Sequence, residues 1–253
     1  MAETPLIRDD ETLECLYGGR LRILQKKKGF RYTIDSVLLA HFAGLKEARR
    51  ILELGAGSAV ISLLLAFRFP EARITAVEIQ DDLVDMARRS VSLSDMGDRV
   101  EIVHGDARRT GEFLKARSFD LAVFNPPYRK VGSGRVNRGT GKALARHEIA
   151  GSVSDFLGAA FYALKSGGRV CLIYPCSRMV EAIHRMREKK LEPKELRMVH
   201  SKPGSRGDFI LVEGVKGGGE ELKVLPPLFV YKVDGGYSEE LAELFRNLSA
   251  PAG

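Results

Sequence analysis

The chain has 253 residues and carries 40 Lys+Arg against 33 Asp+Glu, a formal charge of +7. That length fits one large α/β domain or two small ones, and 44% hydrophobic residues supply a core and exclude wholesale disorder. The longest apolar-rich stretch, Ala59–Phe67, is nine residues, short of the about 20 that a bilayer span needs. With a polar, acidic opening and three cysteines (Cys15, Cys171, Cys176) that form no CxxC pair, the expectation is a soluble cytoplasmic protein without membrane contact, disulfide framework or zinc ribbon.

Along the chain, short apolar runs alternate with amphipathic stretches, the pattern of a parallel sheet covered by helices. A short helix over Ser36–Phe42, begun by Asp35 or Ser36 as N-cap, comes first. Strands are expected at Arg50–Leu54, Arg73–Glu78, Val100–Val103, Leu121–Phe124, Arg169–Tyr174, Asp208–Glu213 and Leu228–Val233. Helices are expected at Ala59–Phe69, at Asp81–Ser94 with Asp81 and Asp82 as caps, at Ser154–Leu164 stopped by Gly167–Gly168, and at Ser177–Lys190. No helix-length stretch separates the last two strands, so they read as an antiparallel hairpin closing the sheet. The preferred parse is an N-terminal extension, residues 1–45, followed by one α/β domain, residues 46–253.

The first main strand runs into Gly55-Ala56-Gly57-Ser58-Ala59-Val60. Glycines there allow a tight turn and let backbone amides approach a ligand. Glu78 ends the next strand, about 20 residues further on, where a carboxylate accepts hydrogen bonds from ribose hydroxyls. Asp106 ends the third, in position to meet an adenine amino group. A nicotinamide dinucleotide also carries ribose and adenine, but Val60 replaces the third glycine of its fingerprint. Glu53 adds a carboxylate where a pyrophosphate would sit, which suits a ligand with a cationic ammonium group.

Asn125-Pro126-Pro127-Tyr128 follows the fourth main strand. An exocyclic amine or amide is a poor nucleophile because its lone pair is conjugated. Two acceptors aimed at the NH₂ hydrogens, the Asn125 side-chain oxygen and the Pro126 carbonyl, would hold the nitrogen toward an electrophilic methyl group. Two prolines lack N–H groups and fix φ, so the turn is stiff and its carbonyls stay unengaged locally. Tyr128 offers a ring on which a flat base stacks. Positioning then supplies most of the catalysis, with no metal or strong base.

These stretches together resemble class I S-adenosylmethionine-dependent methyltransferases, over roughly residues 49–233. Gly29-Phe30-Arg31-Tyr32-Thr33-Ile34-Asp35-Ser36, Ala145-Arg146-His147-Glu148 and Pro226-Pro227-Leu228…Tyr231…Asp234-Gly235-Gly236-Tyr237 narrow the resemblance to bacterial tRNA (adenine-N6)-methyltransferases acting on valine tRNA beside the anticodon. It implies a seven-stranded Rossmann-like sheet with a C-terminal antiparallel hairpin and S-adenosylmethionine as cofactor. Glu53, Gly55, Gly57, Glu78, Asp106, Thr33 and Asp35 would line the cofactor site, and Asn125, Pro126 and Tyr128 would hold the target amine. Ala59 departs from the resemblance, standing where many members have a third glycine.

The net charge suggests a polyanionic partner. Lys26, Lys27, Lys28 and Arg31 precede the short helix, and Arg129, Lys130, Arg135 and Arg138 belong to a glycine-rich stretch after the Asn-Pro-Pro-Tyr turn. Phosphate contact is expected at both, which favours a nucleic-acid partner, and the resemblance implies that it is tRNA. Arg185, Arg187, Lys189 and Lys190, with Arg197, Lys202 and Arg206 later, read instead as a solvated face. No His/Cys/carboxylate cluster has metal spacing, so no metal is expected. The competing readings are guanine-N2 methylation of ribosomal RNA, methylation of a protein glutamine, and a non-enzymatic RNA-binding module on a degenerate fold. Oligomeric state is not legible in the sequence.

Overall fold

The computed structural model describes residues 7–28, 31–44, 48–127 and 151–249. An N-terminal hairpin, β1 (Glu11–Leu16) and β2 (Leu21–Lys26), precedes helix α1 (Ile34–Phe42). Then β3 (Arg50–Leu54), α2 (Val60–Arg68), β4 (Arg73–Glu78), α3 (Asp81–Leu93), β5 (Val100–His104) and β6 (Phe119–Phe124) alternate. After the break come α4 (Val153–Ala163), β7 (Leu164–Pro175), α5 (Met179–Glu188), β8 (Leu191–His200) and β9 (Gly207–Lys216). Short strands β10 (Lys223–Val224) and β11 (Leu228–Phe229) and helix α6 (Glu239–Ser249) end the described chain.

Among the described residues, one sheet has the order β10-β8-β9-β7-β6-β3-β4-β5, with β11 also paired to β8. β5, β4, β3, β6 and β7 are mutually parallel, and β9 and β8 add antiparallel at one side. Each strand alternates its side chains between two apolar layers. Ile51, Ile74, Leu121 and Val123 pack with α1, α2 and α6 on one face. Leu52, Leu54, Ala122 and Phe124 pack with α4 and α5 on the other. The result is the expected α/β sheet with an antiparallel hairpin.

The hairpin uses different strands from those expected. β9 pairs with β8, while Phe229 belongs to a two-residue strand running parallel to β8. β8 contains Pro193, and a register shift between Pro193 and Glu195 breaks its two-residue alternation. A bulged, proline-bearing strand loses the periodic signal that marks a strand. Gly167 and Gly168 do not stop α4, which passes directly into β7. They lie where the β6–β7 register jumps between Leu164 and Arg169, and a Cβ on Gly168 would lie 2.9 Å from the Lys165 carbonyl oxygen. α4 starts one residue early because Ser152 caps it, in a reciprocal capping box with Asp155. Gln80 rather than an aspartate occupies the N-cap of α3, and Thr33 rather than Asp35 or Ser36 that of α1. Asp35, Asp81 and Asp82 lie in the first turns, where their charge favours the helix dipole.

The N-terminal hairpin docks on α3. Leu24 packs with Leu83 and Met86. The Ser90 hydroxyl accepts from the Leu24 N–H at 3.0 Å and donates to the Met86 carbonyl, while the Ser94 hydroxyl accepts from the Arg22 N–H at 2.9 Å. Glu11, 3% exposed, receives two guanidinium N–H groups of Arg89 at 2.7 Å each. The Arg89 pairing outweighs burial and holds the Glu11 carboxyl down at about 2, below its ordinary 4.5. The stabilisation is therefore complete above pH 4.5 and is lost as pH falls toward 2, amounting to about 3 kcal/mol. Urea midpoints measured from pH 5 to pH 2.5 are expected to fall more steeply for the wild type than for Glu11→Gln. Parallel profiles would show that this pair does not anchor the hairpin.

Candidate functional site

A cavity of about 550 Å³ opens at the C-terminal ends of β3, β4 and β6 and at the turn after β5. The turn after β3 forms its floor. Gly55 and Gly57 have φ of +71° and +57°, and a Cβ on Gly55 would stand 3.0 Å from the Phe156 ring. Gly55 and Ala56 both donate their N–H to the Val77 carbonyl, at 2.8 and 3.0 Å. Ala59 also takes a left-handed conformation, φ +64° and ψ +26°, immediately before α2. That conformation costs an L-residue roughly 1–2 kcal/mol, yet the turn closes as it would with glycine, the Ala59 N–H reaching the Ala56 carbonyl at 2.8 Å.

Strand alternation sends Glu53 to the α2 face, where it is 1% exposed. Its Oε2 accepts from the Ser62 N–H at 2.9 Å and from the Ser62 hydroxyl. Oε1 is buried and has no partner among the described residues, as is also true of the Ser58 hydroxyl. Burial pushes the Glu53 carboxyl up to about 8, against the opposing Ser62 hydrogen bonds and with a smaller contribution from Glu78. Glu78, 4% exposed, ties two turns together. Its Oε2 accepts from the Gly57 N–H at 2.8 Å, and Oε1 from the N–H groups of Ile79 and Gln80 at 2.9 and 3.0 Å. Asp106 caps the 3₁₀ segment Ala107–Glu112 and is gripped by the Arg108 guanidinium, which lowers its carboxyl pKa.

Asn125, Pro126 and Pro127 line the same cavity, directly after β6. A further wall is built by Arg31, Tyr32, Thr33, Asp35 and Ser36. The hairpin holds this wall in place. Gln25 on β2 is 2% exposed, and its Oε1 accepts the Tyr32 N–H at 2.8 Å. Arg31 donates to the Thr12 hydroxyl and the Lys26 carbonyl, both at 3.1 Å, and to Glu14.

All seven residues expected to bind the cofactor, Glu53, Gly55, Gly57, Glu78, Asp106, Thr33 and Asp35, therefore meet in one cavity with Asn125 and Pro126. Tyr128 lies outside the described residues, as do Arg129, Lys130, Arg135 and Arg138. The basic triplet is divided. Lys26 pairs with Asp10 at 2.9 Å and Glu11 at 3.4 Å, and only 16% of its side chain is exposed. Lys27 and Lys28 are exposed. Tyr32, Gln80 and Phe156 line the cavity, and Gln25 holds Tyr32, without having been among the expected site residues. Tyr32 belongs to the family-like stretch Gly29–Ser36, whereas Phe156 and Gln25 carry no local signal. Among the described residues, no group of histidine, cysteine and carboxylate side chains is arranged to hold a metal ion, and no helix is long and apolar enough to cross a membrane.

The residues present fit S-adenosylmethionine. The orphaned Glu53 oxygen suits an ammonium group, the Glu78 carboxylate suits a ribose, and the floor approaches without a Cβ at Gly55. Residues 33–189 match the methyltransferase small domain family. A tRNA1(Val) (adenine(37)-N6)-methyltransferase of Aeromonas hydrophila is 29% identical over 211 residues, covering 83% of this chain and 86% of that protein. One from Porphyromonas gingivalis is 33% identical over 166 residues, covering 63% and 64%. In fold, the chain is similar to a predicted O-methyltransferase of Agrobacterium tumefaciens, with a TM-score of 0.68, 24% identity and coverage of 86% and 98%. A SAM-dependent O-methyltransferase of Thermotoga maritima has a TM-score of 0.53, 18% identity and coverage of 77% and 69%.

A cationic ligand group beside Glu53 is expected to ionise its carboxyl on binding. Titrating S-adenosylhomocysteine at pH 7, in buffers of different ionisation enthalpy, should reveal net proton release that Glu53→Gln removes. Binding without proton exchange in the wild type would contradict this role of Glu53.

Proposed function

The chain belongs to the methyltransferase small domain family and is an S-adenosylmethionine-dependent methyltransferase; from this premise we propose that it methylates the exocyclic N6 amine of an adenine in tRNA, in valine tRNA beside the anticodon. The observation that carries the reading is the Asn125-Pro126-Pro127 turn, seated in the same cavity as Glu53 and Glu78. When bound, the donor supplies a methyl group on a sulfonium sulfur, so the amine nitrogen gains a methyl group and loses a proton. The chain's own contribution is to hold that amine. Asn125 through its side-chain oxygen and Pro126 through its carbonyl accept the two N–H bonds of the amine, which turns the nitrogen lone pair toward the methyl group. Tyr128 follows in sequence and stacks on the base.

The relatives named as tRNA1(Val) methyltransferases support the choice of tRNA and adenine, at 29–33% identity. Charge supports it as well: Lys27 and Lys28 on one side, and Arg129, Lys130, Arg135 and Arg138 after the acceptor turn, contact phosphates. Lys26 and Arg31 contribute indirectly, Lys26 paired with Asp10 and Glu11 and Arg31 held by Glu14 and Thr12. In this reading residues 1–45 are an extension whose hairpin completes the donor wall, residues 46–253 form the methyltransferase domain, and the enzyme works in the cytoplasm on tRNA.

Incubation with a labelled methyl donor and bulk tRNA, ribosomes or release factors, followed by digestion to nucleosides, tests this directly. N6-methyladenosine from tRNA is the expected product. Label confined to ribosomal guanine or to protein overturns the proposal. Asn125→Ala is expected to lower kcat at least about 100-fold through lost positioning, with donor affinity nearly unchanged; unaltered turnover removes Asn125 from the acceptor site.

A further inference from the structure

The C-terminal strands carry a second surface at the same edge of the sheet as the acceptor turn. β6 ends there at Phe124 and β7 at Pro175. Because β9 is antiparallel to β7 and β8 to β9, Gly207 and His200 also lie at that edge. The β8–β9 turn is internally braced, with the Ser205 hydroxyl donating to the Lys202 carbonyl at 2.7 Å and the Ser205 carbonyl 2.8 Å from His200 Nδ1. It presents Lys202 and Arg206, both exposed and without an ion pair to the described residues.

The segment after β11 is bonded to this turn. Val230 donates to the His200 carbonyl at 2.9 Å and Tyr231 to the Ser201 carbonyl at 2.8 Å. Tyr231 and Tyr237 stack on each other, with centroids 5.5 Å apart and planes 15° apart, and Tyr237 leans on Phe245 at 4.8 Å. The two rings nevertheless remain 45% and 44% exposed. Gly235 and Gly236, at φ +96° and +74°, make the turn that brings them together. Lys232 stands 4.0 Å from Glu239, and Asp234 is exposed in the same turn, so the available cations of the patch are Lys202 and Arg206.

Resting on the reading of tRNA as substrate, we propose that Lys202, Arg206 and the Tyr231–Tyr237 pair form a landing surface for unpaired nucleotides of the RNA loop that carries the target base. Stacked exposed rings beside exposed cations match what a single strand offers, flat bases alternating with phosphates. A protein partner would be expected to meet apolar surface with fewer cations. Counting strand spacings from β6 through β7 and β9 to β8 and β11 places the surface roughly 15–20 Å from Asn125 along the edge. A loop whose target base enters the cavity therefore crosses this surface with its neighbouring nucleotides.

The test measures tRNA affinity over a range of salt concentration, tRNA methylation and S-adenosylhomocysteine affinity for four proteins: wild type, K202Q/R206Q, Tyr231→Ala and Arg187→Gln. Arg187 pairs with Glu192 and Glu220 near the opposite edge and controls for net charge. Tyr231→Ala is expected to raise the Kd for tRNA about ten-fold with the salt slope retained. K202Q/R206Q is expected to weaken binding and reduce the log–log salt slope by about 1.4, the amount for two phosphates on a single strand. Both should leave S-adenosylhomocysteine affinity unchanged, and Arg187→Gln should behave as wild type. If the wild type methylates tRNA while the Tyr231 and Lys202/Arg206 variants bind it equally well, the landing surface is overturned and the substrate reading stands. A wild type that neither binds nor methylates tRNA overturns both.

Discussion

The cavity depends on the grip of one carboxylate. Glu78, at the tip of β4, accepts the Gly57 N–H with one oxygen and two N–H groups of its own turn with the other. Each is a charge-assisted hydrogen bond in a nearly solvent-free position, where an unmatched partner is costly. The Val77 carbonyl adds two more bonds to the glycine turn. The β3 and β4 tips are thus fastened to each other. This fastening holds the left-handed run Gly55, Gly57, Ala59 in place and offsets the strain at Ala59. It occurs where the sheet order turns, since β4 and β5 lie on one side of β3 and β6 lies on the other. Open α/β sheets place ligands at such a switch point, and the acceptor turn enters the cavity from β6 for that reason.

Around this grip the charges divide into internal and external sets. Lys26, Glu11 and Arg89 serve the hairpin that docks on α3, and Arg31 is held to Thr12 and Glu14 on β1. Hairpin docking, through Gln25, sets the position of Tyr32 and so shapes that wall of the cavity. Lys27, Lys28, Lys202 and Arg206 remain outward-facing and exposed. The net charge of +7 is therefore a poor guide by itself, because similar cations hold the fold in one place and face solvent in another.

The site was more legible in the sequence than the sheet edge was. Glu53, Gly55, Glu78, Asp106 and Asn125 all sit at strand ends, where a local pattern of apolar strand, glycine or acid is both the signal and the geometry. Arg73–Glu78 was legible to the residue. β8 was not, because Pro193 and the adjoining bulge erase alternation, and Phe229 was assigned to a hairpin although its neighbour is β8. The N-terminal hairpin escaped because β2 mixes Arg22, Gln25 and Lys26 with its apolar residues, and its burial comes from α3, far away in sequence. Phe156 reaches the cavity, and Gln25 the Tyr32 backbone at its wall, only through tertiary packing, which no single-chain periodicity encodes.

The central role given to Glu78 is tested most directly by titrating S-adenosylhomocysteine into the wild type and Glu78→Gln, with thermal melts of both. An amide in place of the carboxylate sets an NH₂ group against backbone N–H donors. The expected result is an at least about ten-fold weaker affinity in a protein that still melts cooperatively. Equal affinity in the two proteins would contradict the view that the Glu78 carboxylate builds the cofactor cradle.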